Sequence, residues 1–150
     1  MVEYKEVLDI LAPCGLNCRQ CFANSGGEIR LLSSKLRDLL GLFHRNAEKF
    51  SSFLPIFRNY PAFAEILRYL GQGNCDGCRK GTCGILPNCG VYECYHRKGV
   101  DFCFQCEEFP CDKTNFGPEL KAKWIQINNR MKQIGAVLYL EETKDLPRYR

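Results

Sequence analysis

Apolar residues recur at helical spacing in the first long cysteine-free stretch of the chain. They lie three and four residues apart, which predicts an amphipathic helix over roughly residues 28–43. The residues of this stripe are Ile29, Leu32, Leu36, Leu39 and Phe43. Ser25 and Glu28 have the S-x-x-E spacing of a capping box, so we expect the helix to begin there.

The helical character continues to about residue 70. Pro55 ends or kinks any helix that precedes it, and Asn59-Tyr60-Pro61 begins a new one, because proline is well tolerated in the first turn. Gly71 is the expected C-terminal stop. The five phenylalanines of these segments are expected to pack together as core.

A second amphipathic stripe lies near the C-terminus. Pro118 opens it and Gly135 closes it, which predicts one long helix. Its apolar residues are Leu120, Trp124, Ile127, Met131 and Ile134. On so regular a stripe Trp124 is interpreted as a core anchor. Residues 136–142 are too few to distinguish a helix from a strand, and the final KDLPRYR is expected to be an exposed tail.

These patterns predict a mainly α fold, with a small α+β fold left open, in which helices pack beside an irregular cysteine-rich region. At 150 residues the chain has the size of a single domain, so residues 1–150 are treated as one unit. Helical segments occupy about 28–70 and 118–142. Cysteine motifs occupy 14–21 and 75–111.

Cysteine is the feature that changes this picture, because the chain has 11 thiols. The N-terminus has charged residues inside its apolar run, so it lacks a secretory signal, and no stretch is apolar enough to span a bilayer. We therefore expect a cytoplasmic protein. In a reducing compartment thiols are expected to bind metal rather than to form disulfides.

The spacing of the thiols supports this interpretation. C-x2-C is a tight knuckle that brings two sulfurs to one ion, and it occurs three times, at Cys18/Cys21, Cys75/Cys78 and Cys103/Cys106. CDGCRKGTC and CFQCEEFPC share the spacing C-x2-C-x4-C. The predicted metal ligands are Cys14, Cys18, Cys21, Cys75, Cys78, Cys89, Cys94, Cys103, Cys106 and Cys111. Cys83 and His96 are weaker candidates, since a lone cysteine is often a small buried hydrophobe and a lone histidine is often solvated.

The ligands are expected to form two or three four-coordinate centres. In one of them Cys14, Cys18 and Cys21 are completed by a residue of the C-terminal cluster, which ties the two ends of the chain together. Zinc is the expected ion. An iron–sulfur cluster is the alternative, because soft thiolates suit both.

The net charge of +4 raises the question of nucleic-acid binding. The basic residues are scattered rather than concentrated in a patch, and metal-bound thiolates would cancel the excess. Nucleic acid is therefore not supported as a partner, and no membrane is expected. A protein partner is open.

The motifs also resemble a known family. APCGLNC at 12–18, CDGCR at 75–79 and CGVYECYHRKGVDFCFQCEEFPC at 89–111 are similar to those of a family of small bacterial and archaeal cysteine-rich proteins that is named only as a domain of unknown function. The resemblance covers nearly the whole chain and implies zinc binding through the ten cysteines above. Cys83 lies outside the family pattern. Some relatives carry further cysteines at the extreme C-terminus, where this chain has Pro147-Arg148-Tyr149-Arg150.

The resulting functional hypothesis is a zinc-binding module with a structural or interaction role, without assigned catalytic or cofactor-binding residues. Electron transfer or redox sensing by an iron–sulfur protein is the alternative. The C-x3-C-x2-C spacing of Cys14, Cys18 and Cys21 also occurs in radical S-adenosylmethionine enzymes, but those need a large part of a barrel, which is longer than this chain. Thiol chemistry has only weak hints, Cys94 with His96 and Cys21 before a helix start.

Overall fold

A computed structural model describes residues 2–81 and 83–150, and these contain seven α-helices, two short 3-10 turns and no β-strand. The helices are α1 (Tyr4–Ile10), α2 (Glu28–Leu40), α3 (His44–Phe50), α4 (Tyr60–Leu70), α5 (Val91–Lys98), α6 (Pro118–Ile134) and α7 (Ala136–Thr143). The 3-10 turns are Pro55–Asn59 and Cys103–Gln105. The prediction of a mainly α fold is confirmed, and the segment 136–142 is helical.

Helix α6 organises the larger part of the molecule, which we call the body (residues 2–27 and 71–150, apart from residue 82). Its predicted stripe is buried: Trp124 is 1% exposed and Met131 is fully buried. Helices α1 and α7 close one side of this core around Val7 and Leu140. The prediction that Trp124 is a core anchor is confirmed.

The cysteine-rich loops cover the other side of α6. Trp124, Cys14, Cys18 and Val91 form a second buried cluster, against which Cys78, Cys89, Cys103 and Cys111 are partly buried. Phe102 is fully buried and joins the first cluster, so the loop region contributes more to the core than its composition indicates.

Residues 28–70 form a separate helical layer, which we call the arm. Helices α2 and α4 pack side by side, and α3 and the 3-10 turn at Pro55–Asn59 cover the connection between them. Within the arm only Ser33, Ala47 and Leu67 are buried. The arm phenylalanines do contact one another, with the rings of Phe43 and Phe57 5.5 Å apart. The prediction that they are core is wrong, because Phe53 is 66% exposed.

Two local predictions need correction. Helix α2 begins after Gly27 rather than with a Ser25 cap, because the Ser25 hydroxyl instead bonds the Asp76 carboxylate at 2.5 Å. It ends at Leu40, three residues early, where Gly41 has a φ of 48° that a helix cannot continue.

The last residues of the chain are docked rather than free. Gln20 donates hydrogen bonds to the carbonyls of Lys144 and Leu146, and Lys123 bonds the Arg148 carbonyl. The Tyr149 hydroxyl accepts a bond from the Phe22 amide. The expected exposed tail therefore covers the loop that carries Cys18 and Cys21.

Within the described ranges, every helix is too short or too polar to cross a bilayer.

Candidate metal centre

Four cysteines surround one small cavity in the body. We call Cys94, Cys103, Cys106 and Cys111 the C-terminal cluster; they line a cavity of about 30 Å³ together with Trp124 and other residues. A water-sized group needs roughly 10–15 Å³, so the cavity has room for one small occupant. Thiolates arranged around such a volume are the donor set that zinc and iron–sulfur clusters use.

The backbone places these thiols through short turns. Cys94 lies on α5. Cys103 begins the second 3-10 turn and Cys106 follows its last residue, and a bond from the Cys106 amide to the Cys103 carbonyl at 3.1 Å closes the turn. The Cys103 amide donates to the Pro13 carbonyl at 2.9 Å, which attaches the knuckle to the N-terminal motif.

Close backbone approach brings the other side of this region together. A Cβ on Gly90 would lie 2.0 Å from the Lys113 carbonyl oxygen, and the Gly90 amide bonds the Thr114 carbonyl at 3.2 Å. Only glycine fits there. The segment after Cys111 is thereby held against the start of α5, where Cys94 lies.

A buried donor points into the C-terminal cluster. The indole N–H of Trp124 finds no hydrogen-bond partner of normal geometry among the described residues, and the acceptor that it faces is the Cys103 sulfur. Burial raises the pKa of Cys103 to about 11, while this N–H opposes the rise. Such a donor is satisfied when Cys103 is a thiolate, which is the state of a metal ligand.

Positive charge lies beside the same cysteines. Lys98 and Lys113 both line the cavity, and both form ion pairs with the exposed Glu108. Glu108 raises the pKa of Lys98, and Cys106 and Cys94 add to that rise. Two ammonium groups and the one carboxylate that they share leave a net positive charge beside the four sulfurs, which favours the negative charge that four thiolates carry around a divalent ion.

A second group of thiols, the central cluster, consists of Cys18, Cys78 and Cys83. The thiol of Cys78 lies close to the other two, and its proximity lowers the pKa of both Cys18 and Cys83. The pKa of Cys78 is raised by the same two contacts. The charge of Arg148 also favours the charged forms of Cys18 and Cys83.

Backbone amides also point at the sulfurs. The amides of Ile85 and Leu86 lie near the Cys83 sulfur, and those of Val91 and Tyr92 lie near the Cys89 sulfur, where they favour the thiolate. Amides two and three residues after a cysteine that bond its sulfur are the arrangement expected of a metal knuckle.

The first motif is divided between its surroundings. Gly15, with a φ of 87°, packs so closely on α6 that a Cβ there would lie 2.4 Å from Ile127. This seats Cys14 in the core, where burial raises the pKa of its thiol and the charge of Cys103 raises it further. Cys18 instead contacts Cys78 and Cys83. Cys14 and Cys18 share one buried cluster, and the expected joint centre of Cys14, Cys18 and Cys21 stays a prediction.

Cys21 is buried and Cys75 is half-buried, and both lie outside the two clusters as defined above. The sulfur of Cys21 is 3.9 Å from the Tyr149 hydroxyl. The Cys75 amide bonds the Ala23 carbonyl at 2.9 Å, and a Cβ built on Gly84 would lie 3.9 Å from the Cys75 sulfur. Cys75 therefore lies beside Gly84, the residue that follows Cys83 in the chain.

The two weaker ligand candidates, His96 and Cys83, have different surroundings. His96 lies against aromatic rings, with its centroid 4.8 Å from Tyr92 and 4.2 Å from Tyr95. Cys83 lies in the central cluster. The repeated C-x2-C-x4-C spacing carried this signal, because Cys83 occupies the place in the first repeat that Cys111 occupies in the second.

The thiols are neighbours, but their positions are not those of ligands around a single ion. In residues 2–81 and 83–150, no three His, Cys, Asp or Glu side chains have the arrangement of ligands around one ion. All 11 cysteines are free. The metal ligands thus remain a prediction, for which the cavity, the Trp124 donor and the sulfur donor set are suited.

A family model described as "Protein of unknown function (DUF3795)" matches residues 10–116, which include all of the cysteines. Neither the curated proteins nor the solved structures contain a match to the chain.

Proposed function

The chain belongs to the DUF3795 family, and we propose that it binds two zinc ions through two four-cysteine centres that fix the shape of a structural or interaction module. The C-terminal centre consists of Cys94, Cys103, Cys106 and Cys111. The central centre consists of Cys18, Cys78, Cys83 and Cys75.

The observation that carries the proposal is the cavity lined by all four thiols of the C-terminal cluster. Its ligands would be the second C-x2-C-x4-C repeat plus one cysteine from α5. The first repeat offers the same set: Cys75, Cys78 and Cys83, with Cys18 from the N-terminal motif. This equivalence is the reason for choosing Cys75 rather than Cys21 as the fourth ligand.

The surroundings of the thiols supply what a bound ion needs. Deprotonated sulfur is the ligand, so the Trp124 N–H, the amides at Cys83 and the nearby Lys98 all act in the direction of binding. The protons of the thiols leave when the ion enters, and the sulfurs then move together, since only the ion attracts them to one point.

Four thiolates around zinc leave no open position, so such centres hold structure rather than perform a reaction. The module is therefore proposed to act by presenting a surface. A reducing cytoplasm is the compartment in which these free thiols would remain available for metal.

The test is the metal content of anaerobically purified protein and three single variants. We expect two zinc ions per wild-type chain and no visible absorption. Cys83→Ser and Cys111→Ser occupy equivalent places in the two repeats, and each is expected to lower the content by one ion. Cys21→Ser is the matched control, buried and adjacent to the central cluster but outside both proposed centres, and it is expected to retain two.

Each other result would overturn one part of the proposal: the identity of the ion, the grouping of the ligands or metal binding itself. Iron with broad visible absorption would replace zinc by an iron–sulfur cluster. Full zinc in Cys83→Ser with loss in Cys21→Ser would refute the grouping. Absence of any ion from freshly folded protein would refute metal binding itself. Far-UV circular dichroism of each variant separates ligand loss from general unfolding.

A further inference from the structure

The arm has a continuous apolar face that nothing in the described chain covers. It consists of Leu32, Leu36 and Leu39 on α2 and Phe63 and Ile66 on α4, which are 58%, 42%, 76%, 43% and 59% exposed. We call these five residues the apolar face. A helix pair normally turns such residues toward a core.

The two stripes lie on the same side of the helix pair. Helices α2 and α4 are antiparallel. Ser34, in the middle of α2, bonds the carbonyl of Gly71, just after α4, whereas the ring of Phe43, just after α2, lies 5.2 Å from that of Tyr60 at the start of α4. On each helix the stripe lies roughly a quarter turn from the buried residue, in the same rotational sense. For antiparallel neighbours the same sense brings both stripes to one side of the layer.

Charged residues are concentrated on the side opposite the apolar face. Asp38, Glu65 and Arg68 fall there by the same helical geometry, and all are exposed. Glu28 and Lys35 lie beside the stripe of α2, at its outer edge, and they carry opposite charges. A face whose only charges are one acid and one base at its edge can meet an identical face without a large excess of like charge.

We propose that the apolar face binds the same face of a second copy of this chain, giving a symmetric dimer whose arms form a four-helix bundle. Helices α2 and α4 have 13 and 11 residues, lengths that suit a short bundle of two helix pairs. A two-fold contact uses one patch on both partners and closes on itself. The inference uses no cysteine and stands apart from the proposed metal centres.

The exposed area is on the scale that a dimer needs. With roughly 200 Å² for a fully exposed large side chain, the apolar face exposes on the order of 500 Å². Leu42, Phe53, Leu54 and Ile56 at the tip of the arm are 45–70% exposed and add on the order of 500 Å² more. A standard interface buries about 800 Å² per partner, whereas the largest apolar patch of a monomer is about 300–600 Å².

The experiment is sedimentation or light scattering of the full-length, metal-loaded chain over a range of concentrations. We expect a mass of twice 17.2 kDa that does not grow further on concentration. Ile66→Glu is expected to halve the mass. Leu138→Glu is the matched control, because Leu138 is 57% exposed on α7, outside the arm, and its substitution should leave the dimer intact.

Each contrary result overturns the proposal. A wild-type mass of 17.2 kDa at all concentrations would exclude a second copy, even if another protein or a lipid vesicle bound the arm. A dimer that Ile66→Glu leaves intact, or that Leu138→Glu disrupts equally, would place the contact elsewhere. A mass that keeps rising would indicate an open assembly instead of a two-fold pair. Unchanged circular dichroism shows that Ile66→Glu acts on association, because this side chain is already exposed in the single chain.

Discussion

The body and the arm both bury few apolar side chains. The body has thiols beside its core, whereas the arm has an exposed apolar face. The body has a real core along α6, but half of that core is bordered by thiols. The arm has neither thiols nor a core, with three buried residues among 43. A region that cannot bury enough apolar surface needs an external partner. For the body we propose an ion, and for the arm a second chain.

The comparison teaches that the same amphipathic pattern can have opposite outcomes. The stripe of α6 meets α1, α7 and the cysteine loops, whereas the stripe of α2 meets solvent. Periodicity in a sequence identifies the apolar side of a helix. Whether another element covers that side is decided by the topology, and here the topology covers only the stripe that lies among the cysteine motifs.

Metal removal should separate the two regions most strongly. A structural zinc contributes about 10–16 kcal/mol of apparent folding free energy in small peptides, so its loss should release residues 75–111. We expect trypsin to cut after Arg79 and Arg97 once a strong chelator has removed the metal. Arg79 is held by bonds to the carbonyls of Leu11 and Asp101 at 3.0 and 2.7 Å, which protects this site in the folded protein.

The arm supplies the internal reference for that experiment. Cleavage after Arg37 and Lys49, which are both exposed, should be the same with and without metal. Unchanged protection at Arg79 after verified loss of the ion would show that packing alone orders the cysteine loops.

Core truncation should distinguish the regions by a smaller amount. Met131→Ala removes a fully buried side chain and should lower the free energy of unfolding by about 2–5 kcal/mol. Leu39→Ala removes one that is 76% exposed, and at a concentration that keeps the chain monomeric it should change stability by no more than about 0.5 kcal/mol. Urea unfolding of the metal-loaded variants measures both. Equal losses would mean that the arm has a core of its own.

The sequence predicted helices well where boundary residues such as proline and glycine agree with the spacing of the apolar residues. Pro118 and Gly135 bound α6 as expected, and Tyr60 begins α4 at the predicted place. It failed at Ser25, whose hydroxyl is recruited by Asp76, 51 residues away. A capping motif reports local preference, and a distant partner can override it.

The sequence indicates which residue type would bind a metal, but not which cysteines lie next to one another. The knuckle spacing indicates metal, but Cys18 meets Cys78 and Cys83 across some 60 residues of chain, a contact that no local spacing encodes. The Trp124 donor was interpreted only as an apolar anchor, because an apolar stripe does not tell where an indole N–H points. Cys83 is a weaker candidate from sequence, although the repeated C-x2-C-x4-C spacing gives it the place of Cys111, and its role as a ligand stays a prediction.

The smallest expected effect concerns the ion pair that joins α6 to α7 in the body. Arg130 bonds Glu142 through two nitrogens, at 3.1 and 2.6 Å, and lowers the pKa of that carboxyl below its ordinary 4.5. A carboxyl with a depressed pKa in the folded state stabilises the protein above its ordinary pKa, and this contribution is lost as the pH falls below 4.5. Glu142→Gln should therefore lower the thermal midpoint slightly near pH 7, and the difference in midpoint from wild type should disappear in acid.

Glu48→Gln in the arm is the control, because Glu48 forms no ion pair with any described residue. This variant should have the wild-type midpoint at either pH. A gap for Glu142→Gln that widens in acid would contradict the sign, because other effects of acid are common to both proteins and only the wild type loses the ion pair as well.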